Sequence, residues 1–284
     1  MRALALLALV LVATVSGAES AGVDVVVPMT IKGFFGDRTV SLAATEYAPE
    51  GDGPFPAIVI SHGTPATAAE REKVTARYPN PSAAFLEMGF VVVNPLRRGY
   101  GKTGGTYEED TDRCRFFVDA GLETAKDIGA TVAYLRKHPK VDPDRSVLVG
   151  QSGGGWGSLA AVTRDDVPVR GVVNFAGGLG GKVGGIANNH CQPDWLVAAS
   201  AKLGKGARVP SLWIYTENDQ YFGPDLSRRM HTAYTEAGGK AVFFLLAPYG
   251  DDGHMLFGSA QAVPLWRDKV ETFLREIGVI SPSR

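Results

Sequence analysis

Short apolar runs alternate with amphipathic stretches along this chain. Val23–Ile31 and Thr39–Tyr47 alternate apolar and polar positions on either side of a Gly-Phe-Phe-Gly-Asp turn, which predicts an antiparallel hairpin. Pro56–Ser61, Phe90–Asn94, Arg145–Val149, Val169–Phe175, Leu212–Thr216 and Val242–Ala247 are apolar, β-branched runs of the kind buried on both faces of a parallel sheet. Between them, Val118–His138 places Leu122, Ala125, Ile128, Val132 and Leu135 on one helical face, with Pro139 as the stop. Ala83–Met88, Trp156–Val162, Leu226–Ala237 and Val263–Ile277 are also predicted helices. Strand–helix alternation of this kind predicts an α/β fold: a mostly parallel sheet of about eight strands, flanked by helices on both faces. The glycine-rich segment from 177 to about 208 breaks the alternation. It reads as an insertion over the carboxyl edge of the sheet, where open α/β sheets bind ligands.

The first residues follow a different rule. Met1-Arg2 is a positive start, Ala3–Val15 is apolar, and Ser16-Gly17-Ala18 offers small residues for a cut. That is a signal peptide, too short in its apolar part to span a bilayer, which takes about 20 residues. The expectation is residues 1–18 as signal peptide and 19–284 as one domain, secreted or periplasmic, with no stable membrane anchor after cleavage. A chain of 284 residues is ordinary for a single α/β domain. With 21% charged residues, a net charge of −1 and no longer basic run than Arg97-Arg98, it has no footprint for nucleic acid. The two cysteines, Cys114 and Cys191, form an even pair in an exported chain, which points to one disulfide worth up to roughly 4 kcal/mol. The other reading is two separate thiols. Two cysteines are too few for a structural zinc site.

Chemistry concentrates at Gly150-Gln151-Ser152-Gly153-Gly154, between a predicted strand and a predicted helix. Strand, G-x-S-x-G, helix is a turn so tight that side chains at the flanking glycines would clash, and it pushes the serine Oγ out at the top of the sheet. Serine is a weak nucleophile until a base takes its proton and a third group orients that base. Two later strands end in loops that carry such groups. Glu217-Asn218-Asp219 follows Leu212–Thr216, and the loop ending in His254 follows Val242–Ala247.

Serine, acid and histidine in that order, each after a strand, resemble the α/β-hydrolases, and among them the dienelactone-hydrolase-like and prolyl-oligopeptidase-like esterases. The resemblance runs from about Val23 to the C-terminus. It implies Ser152 as nucleophile, Asp219 as orienting acid and His254 as base, with Glu217 the weaker alternative acid. Ser61-His62-Gly63-Thr64-Pro65 is similar to the family's oxyanion turn, which implies the Thr64 and Gly153 N–H groups as donors. Loss of one such donor costs about 10²–10³ in rate. Thr replaces the family's glycine at position 64. A histidine base predicts falling activity at acid pH.

The remaining candidates have plain readings beside functional ones. His62 is expected to make structural hydrogen bonds, His138 to complement a helix end, and His231 to lie in a surface helix. Trp156, His190, Trp195 and Tyr221 are possible pocket walls. Gly99-Tyr100-Gly101-Lys102-Thr103-Gly104 matches a dinucleotide fingerprint, but a polar irregular stretch follows it instead of a helix. The expectation is an exported serine esterase acting on a small-molecule or polymer-linked ester, without metal or cofactor. A serine peptidase is the nearest rival, although those enzymes usually carry a large gating domain for which this chain has no room. A non-catalytic binding protein on a hydrolase fold is the remoter one. Substrate and oligomeric state stay open.

Overall fold

The computed structural model describes residues 22–33, 36–111 and 114–281. The signal-peptide reading of residues 1–18 lies outside them. Eight strands form one sheet: β1 (Val23–Ile31), β2 (Arg38–Tyr47), β3 (Phe55–Ser61), β4 (Val91–Pro95), β5 (Val141–Gln151), β6 (Gly171–Phe175), β7 (Ser211–Thr216) and β8 (Ala241–Leu246). Their order is β1-β2-β4-β3-β5-β6-β7-β8. β2 runs antiparallel to both β1 and β4, and all later pairings are parallel.

The helices are α1 (Ala68–Arg71), α2 (Pro79–Glu87), α3 (Phe117–Leu135), α4 (Gly153–Ala161), α5 (Pro193–Gly206), α6 (Pro224–Glu236) and α7 (Val263–Glu276). Successive strand side chains point to opposite faces, so each buried strand feeds two cores. Ala57 and Val59 of β3, with Trp213 and Tyr215 of β7, pack under α3, α4, α5 and α6. Ile58 and Ile60, with Leu212 and Ile214, face Phe85 of α2 and Trp266, Val270 and Leu274 of α7. Both faces are covered, which explains why these strands read as continuous apolar runs.

The segment 177–208 divides in two. Residues 193–206 are α5, the crossover helix between β6 and β7, whose Leu196, Ala199 and Leu203 belong to the core. The loop proper is 177–192. Cys191 in that loop is bonded to Cys114, just before α3. Lys182 pairs with Asp252 at 3.1 Å and the Asn188 N–H donates to Gln220 O at 2.7 Å, so the loop is tied to the ends of β7 and β8.

Candidate active site

β5 leads directly into α4, and Ser152 is the single residue between them. Its backbone has φ 54° and ψ −124°, a conformation L-residues rarely adopt. The flanking glycines are sterically required. A Cβ on Gly150 would sit 2.3 Å from Gly154 O, and one on Gly154 would sit 2.1 Å from Ser61 O. Gly153 is the first residue of α4, where helix N–H groups have no partner inside the helix.

β5, β7 and β8 are parallel neighbours through β6, so the segments after them leave the same edge of the sheet. Asp219 and His254 meet there: His254 Nδ1 lies 3.1 Å from Asp219 Oδ2 and 3.2 Å from Oδ1. Both are buried. Asp219 Oδ1 also accepts from the N–H groups of Tyr221 at 2.7 Å and Phe222 at 2.9 Å. An acceptor so placed assigns the proton to Nδ1 and leaves Nε2 as the basic nitrogen. Glu217 is exposed, and its Glu217 N–H donates to Leu246 O at 2.9 Å. Asp252 caps the short turn that carries His254, taking the His254 N–H at 3.1 Å and the Gln220 N–H at 3.1 Å. The Gln151 side chain, one residue before the serine, donates to His254 O at 2.8 Å and accepts from Tyr78 OH at 3.0 Å.

The Ser61–Thr64 turn lies against the serine. A Cβ on Gly63 would be 3.4 Å from Ser152 Cβ and 3.9 Å from its Oγ, and a Cβ on Gly153 would be 2.1 Å from Thr64 Oγ1. Thr64 and Gly153 are thus adjacent beside Ser152. His62 is part of the scaffold: Nδ1–H donates to Gly63 O at 2.8 Å, and Nε2 accepts the Arg97 N–H at 3.2 Å. Burial, with Arg97 adding to it, pushes its pKa down to about 3, so the ring is neutral near pH 7.

Of the four suggested pocket residues, Tyr221 is at the site, its ring stacked on His254 with centroids 4.1 Å apart. His190 stacks on Phe222 at 5.6 Å, and neither of its ring nitrogens has a hydrogen-bond partner among the described residues. Burial lowers its pKa, with Asp219 opposing. Trp156 is not a pocket wall. It is fully buried between α3 and α4, and its indole N–H donates to Phe117 O at 2.7 Å. Trp195 stands in the first turn of α5 with half its surface in solvent. His138 does not cap α3; it lies beyond the helix end with Nε2 3.3 Å from Glu46. His231 packs edge-on against Trp213 at 5.6 Å.

A family model described as the prolyl oligopeptidase family matches residues 78–176. No curated protein matches the sequence. Among solved structures, a puromycin-hydrolyzing peptidase of Mycobacterium tuberculosis aligns with TM-score 0.61 and 20% identity over 91% of this chain, but only 41% of its own. An esterase of Thermogutta terrifontis aligns with TM-score 0.62 and 17% identity, covering 94% of this chain and 98% of its own. A Klebsiella pneumoniae protein assigned as a dienelactone hydrolase gives 0.59 and 14%, over 89% and 99%.

The fold is that of an α/β-hydrolase. The eight-stranded, mostly parallel sheet agrees with the sequence reading, and the strand–Ser152–helix turn has the expected form, but one layer around the turn was missed. Arg97 and Glu109 form a buried ion pair directly beneath the Ser61–Thr64 turn. Glu109 sits in a polar, irregular stretch without periodicity, and Arg97 reads only as half of a short basic pair. The one available signal was an arginine two residues past a fully buried strand. The Gly99–Gly104 segment forms a short bridge and a single 3₁₀ turn, not the opening of a phosphate-binding helix. A concavity of about 530 Å³ lies far from this site, at the amino edge of the sheet, lined by Asp144, Arg170, Pro210 and Glu276 among others. It holds no nucleophile–base pair.

Proposed function

We propose that the chain is an exported serine hydrolase that cleaves carboxylic esters through an acyl-enzyme on Ser152. The observation that carries this reading is the buried Asp219–His254 pair, beside an elbow whose serine has φ 54°. His254 Nε2 takes the Ser152 proton as Oγ attacks the carbonyl carbon. The oxyanion is held by the N–H groups of Thr64 and Gly153. Collapse breaks the ester C–O bond, and the alcohol leaves with the proton from His254. Water then enters, gives its proton to the same nitrogen, attacks the acyl carbon and releases the acid, returning Ser152.

Ester rather than amide cleavage is favoured by the near-complete overlap with the Thermogutta esterase, 98% of that chain. The prolyl oligopeptidase match over residues 78–176 supports a peptidase as the second reading. Export is supported by the N-terminal pattern and by the Cys114–Cys191 bond, a linkage that persists in oxidising compartments.

Ser152→Ala should abolish hydrolysis of p-nitrophenyl acetate, and a fluorophosphonate probe should label the wild type at Ser152 only. Wild-type turnover by Ser152→Ala would sink the mechanism. Aminoacyl p-nitroanilide cleavage at rates matching the ester would establish the peptidase instead. Intact-mass analysis of the exported protein should give a chain beginning at Glu19.

A further inference from the structure

We propose that the buried Arg97–Glu109 pair is a positioning device that aims the oxyanion-binding amides at Ser152. The inference rests on the ester-hydrolase reading above. Arg97 is fully buried and reaches every residue of the Ser61–Thr64 turn. Nη1 donates to Ser61 Oγ at 3.0 Å and to His62 O at 2.5 Å, and Nη2 donates to Gly63 O at 3.5 Å and Thr64 Oγ1 at 3.2 Å. Glu109 holds the guanidinium by its fork, Nε to Oε1 and Nη2 to Oε2, the second at 3.1 Å. The same Oε2 accepts from Tyr100 OH at 2.7 Å and from Thr64 Oγ1 at 3.1 Å.

Peptide geometry converts these bonds into a direction. In a planar trans peptide the C=O and the N–H point opposite ways. Gly63 C=O is held inward by His62 and Arg97, and the N–H of that same peptide belongs to Thr64. That N–H therefore points away from the arginine. The Ser152 side of the turn is marked by Gly63, whose missing Cβ would lie 3.4 Å from Ser152 Cβ. Thr64 Oγ1, clamped by Arg97 and Glu109, abuts Gly153, so both expected donors lean on one scaffold. Burying a charge pair is a weak way to gain stability, since apolar side chains of similar volume often serve as well. A fork that fixes several acceptors at once is something only arginine supplies.

The test uses the full chain carrying Arg97→Gln with Glu109→Gln, which removes both charges so that neither is left buried alone. Its control is Arg98→Gln with Asp127→Asn, a buried pair with Nε–Oδ1 2.6 Å whose side chains make no bond to the turn. Each protein is checked for folding by circular dichroism and assayed for kcat and KM on p-nitrophenyl acetate. The Ki of an aryl trifluoromethyl ketone, whose serine adduct carries an oxyanion, is measured alongside. The Arg97/Glu109 variant should lose about 10–100-fold in kcat with KM within about three-fold, and the ketone Ki should rise in step with the kcat loss. The control should keep kcat within about two-fold. A folded Arg97/Glu109 variant with wild-type kcat, or equal losses in both pairs, overturns the proposal. Should the double variant not fold, Tyr100→Phe withdraws one hydrogen bond from Glu109 and leaves both charges. It should lower kcat about 3–10-fold at unchanged KM, and wild-type kcat there overturns the proposal equally. A wild type that neither turns over the ester nor labels at Ser152 fails the hydrolase reading itself, a result separate from all of these.

Discussion

Asp219, the proposed orienting acid, is set by the hydrogen bonds it accepts. Two main-chain N–H groups and one imidazole nitrogen converge on it, so no donor is left for His254 to accept from. Asp219→Asn keeps the shape and offers an NH₂ to the same ring. The ring would then carry its proton on Nε2, facing the serine, where it cannot serve as base. Ester kcat is expected to fall by about 10⁴ with KM little changed. A loss below about tenfold in steady-state kinetics would show that Asp219 does not set the tautomer. The family resemblance favours Asp219 over Glu217, and in the structure Asp219 lies against His254 Nδ1 while Glu217 is exposed.

Elements were legible where burial is two-sided. Apolar runs located the six strands from β3 to β8, and apolar–polar alternation located the half-exposed hairpin of β1 and β2. α2 begins at Pro79, earlier than the predicted Ala83, since Pro79, Asn80 and Pro81 carry no apolar periodicity yet suit a helix's first turn. α1 has no buried residue and so left no pattern. The 177–208 segment reads as one insertion with a short helix because its glycine-rich start breaks the strand–helix alternation; that helix is α5, a crossover helix of the main fold. The part that remains a loop is pinned by Cys191 to Cys114 across a separation of 77 residues. Cys114→Ala with Cys191→Ala should lower the melting temperature by roughly 10 °C in scanning fluorimetry, and reductant should bring the wild type to the same value. A shift below about 2 °C would mean that Lys182, Asn188 and their partners hold the loop without the bond. The Arg97–Glu109 pair was illegible at this scale. Twelve residues separate the partners through an irregular, glycine-containing stretch that carries no periodicity.

Two buried titrating groups set opposing pH dependences for the whole molecule. His62 is held neutral in the fold, its pKa lowered from 6.5 to about 3, while the unfolded chain takes up a proton below 6.5. Its contribution to stability is full above 6.5 and is lost as pH falls toward 3, at up to ~1.4 kcal/mol per pH unit. Asp127 acts the other way. Burial raises its pKa to about 6 despite Arg98, so its contribution is present in acid and is lost as pH rises through that value. The wild-type curve therefore mixes two slopes, and the informative quantity is the difference from His62→Asn. Urea unfolding of both proteins between pH 7 and 4 should show the gap in stability narrowing as pH falls; a constant gap would mean that His62 does not titrate differently in the two states. The elbow has a bearing on the same free energy. A serine at φ 54° and ψ −124° holds strain on the order of 1–3 kcal/mol that a glycine would not. Ser152→Gly should therefore unfold at a higher temperature than Ser152→Ala, although both lack the hydroxyl. Heat resistance and turnover are thus opposed at one atom of the main chain. A library of this protein screened for thermostability without an activity gate would drift toward variants that have discarded the proposed nucleophile.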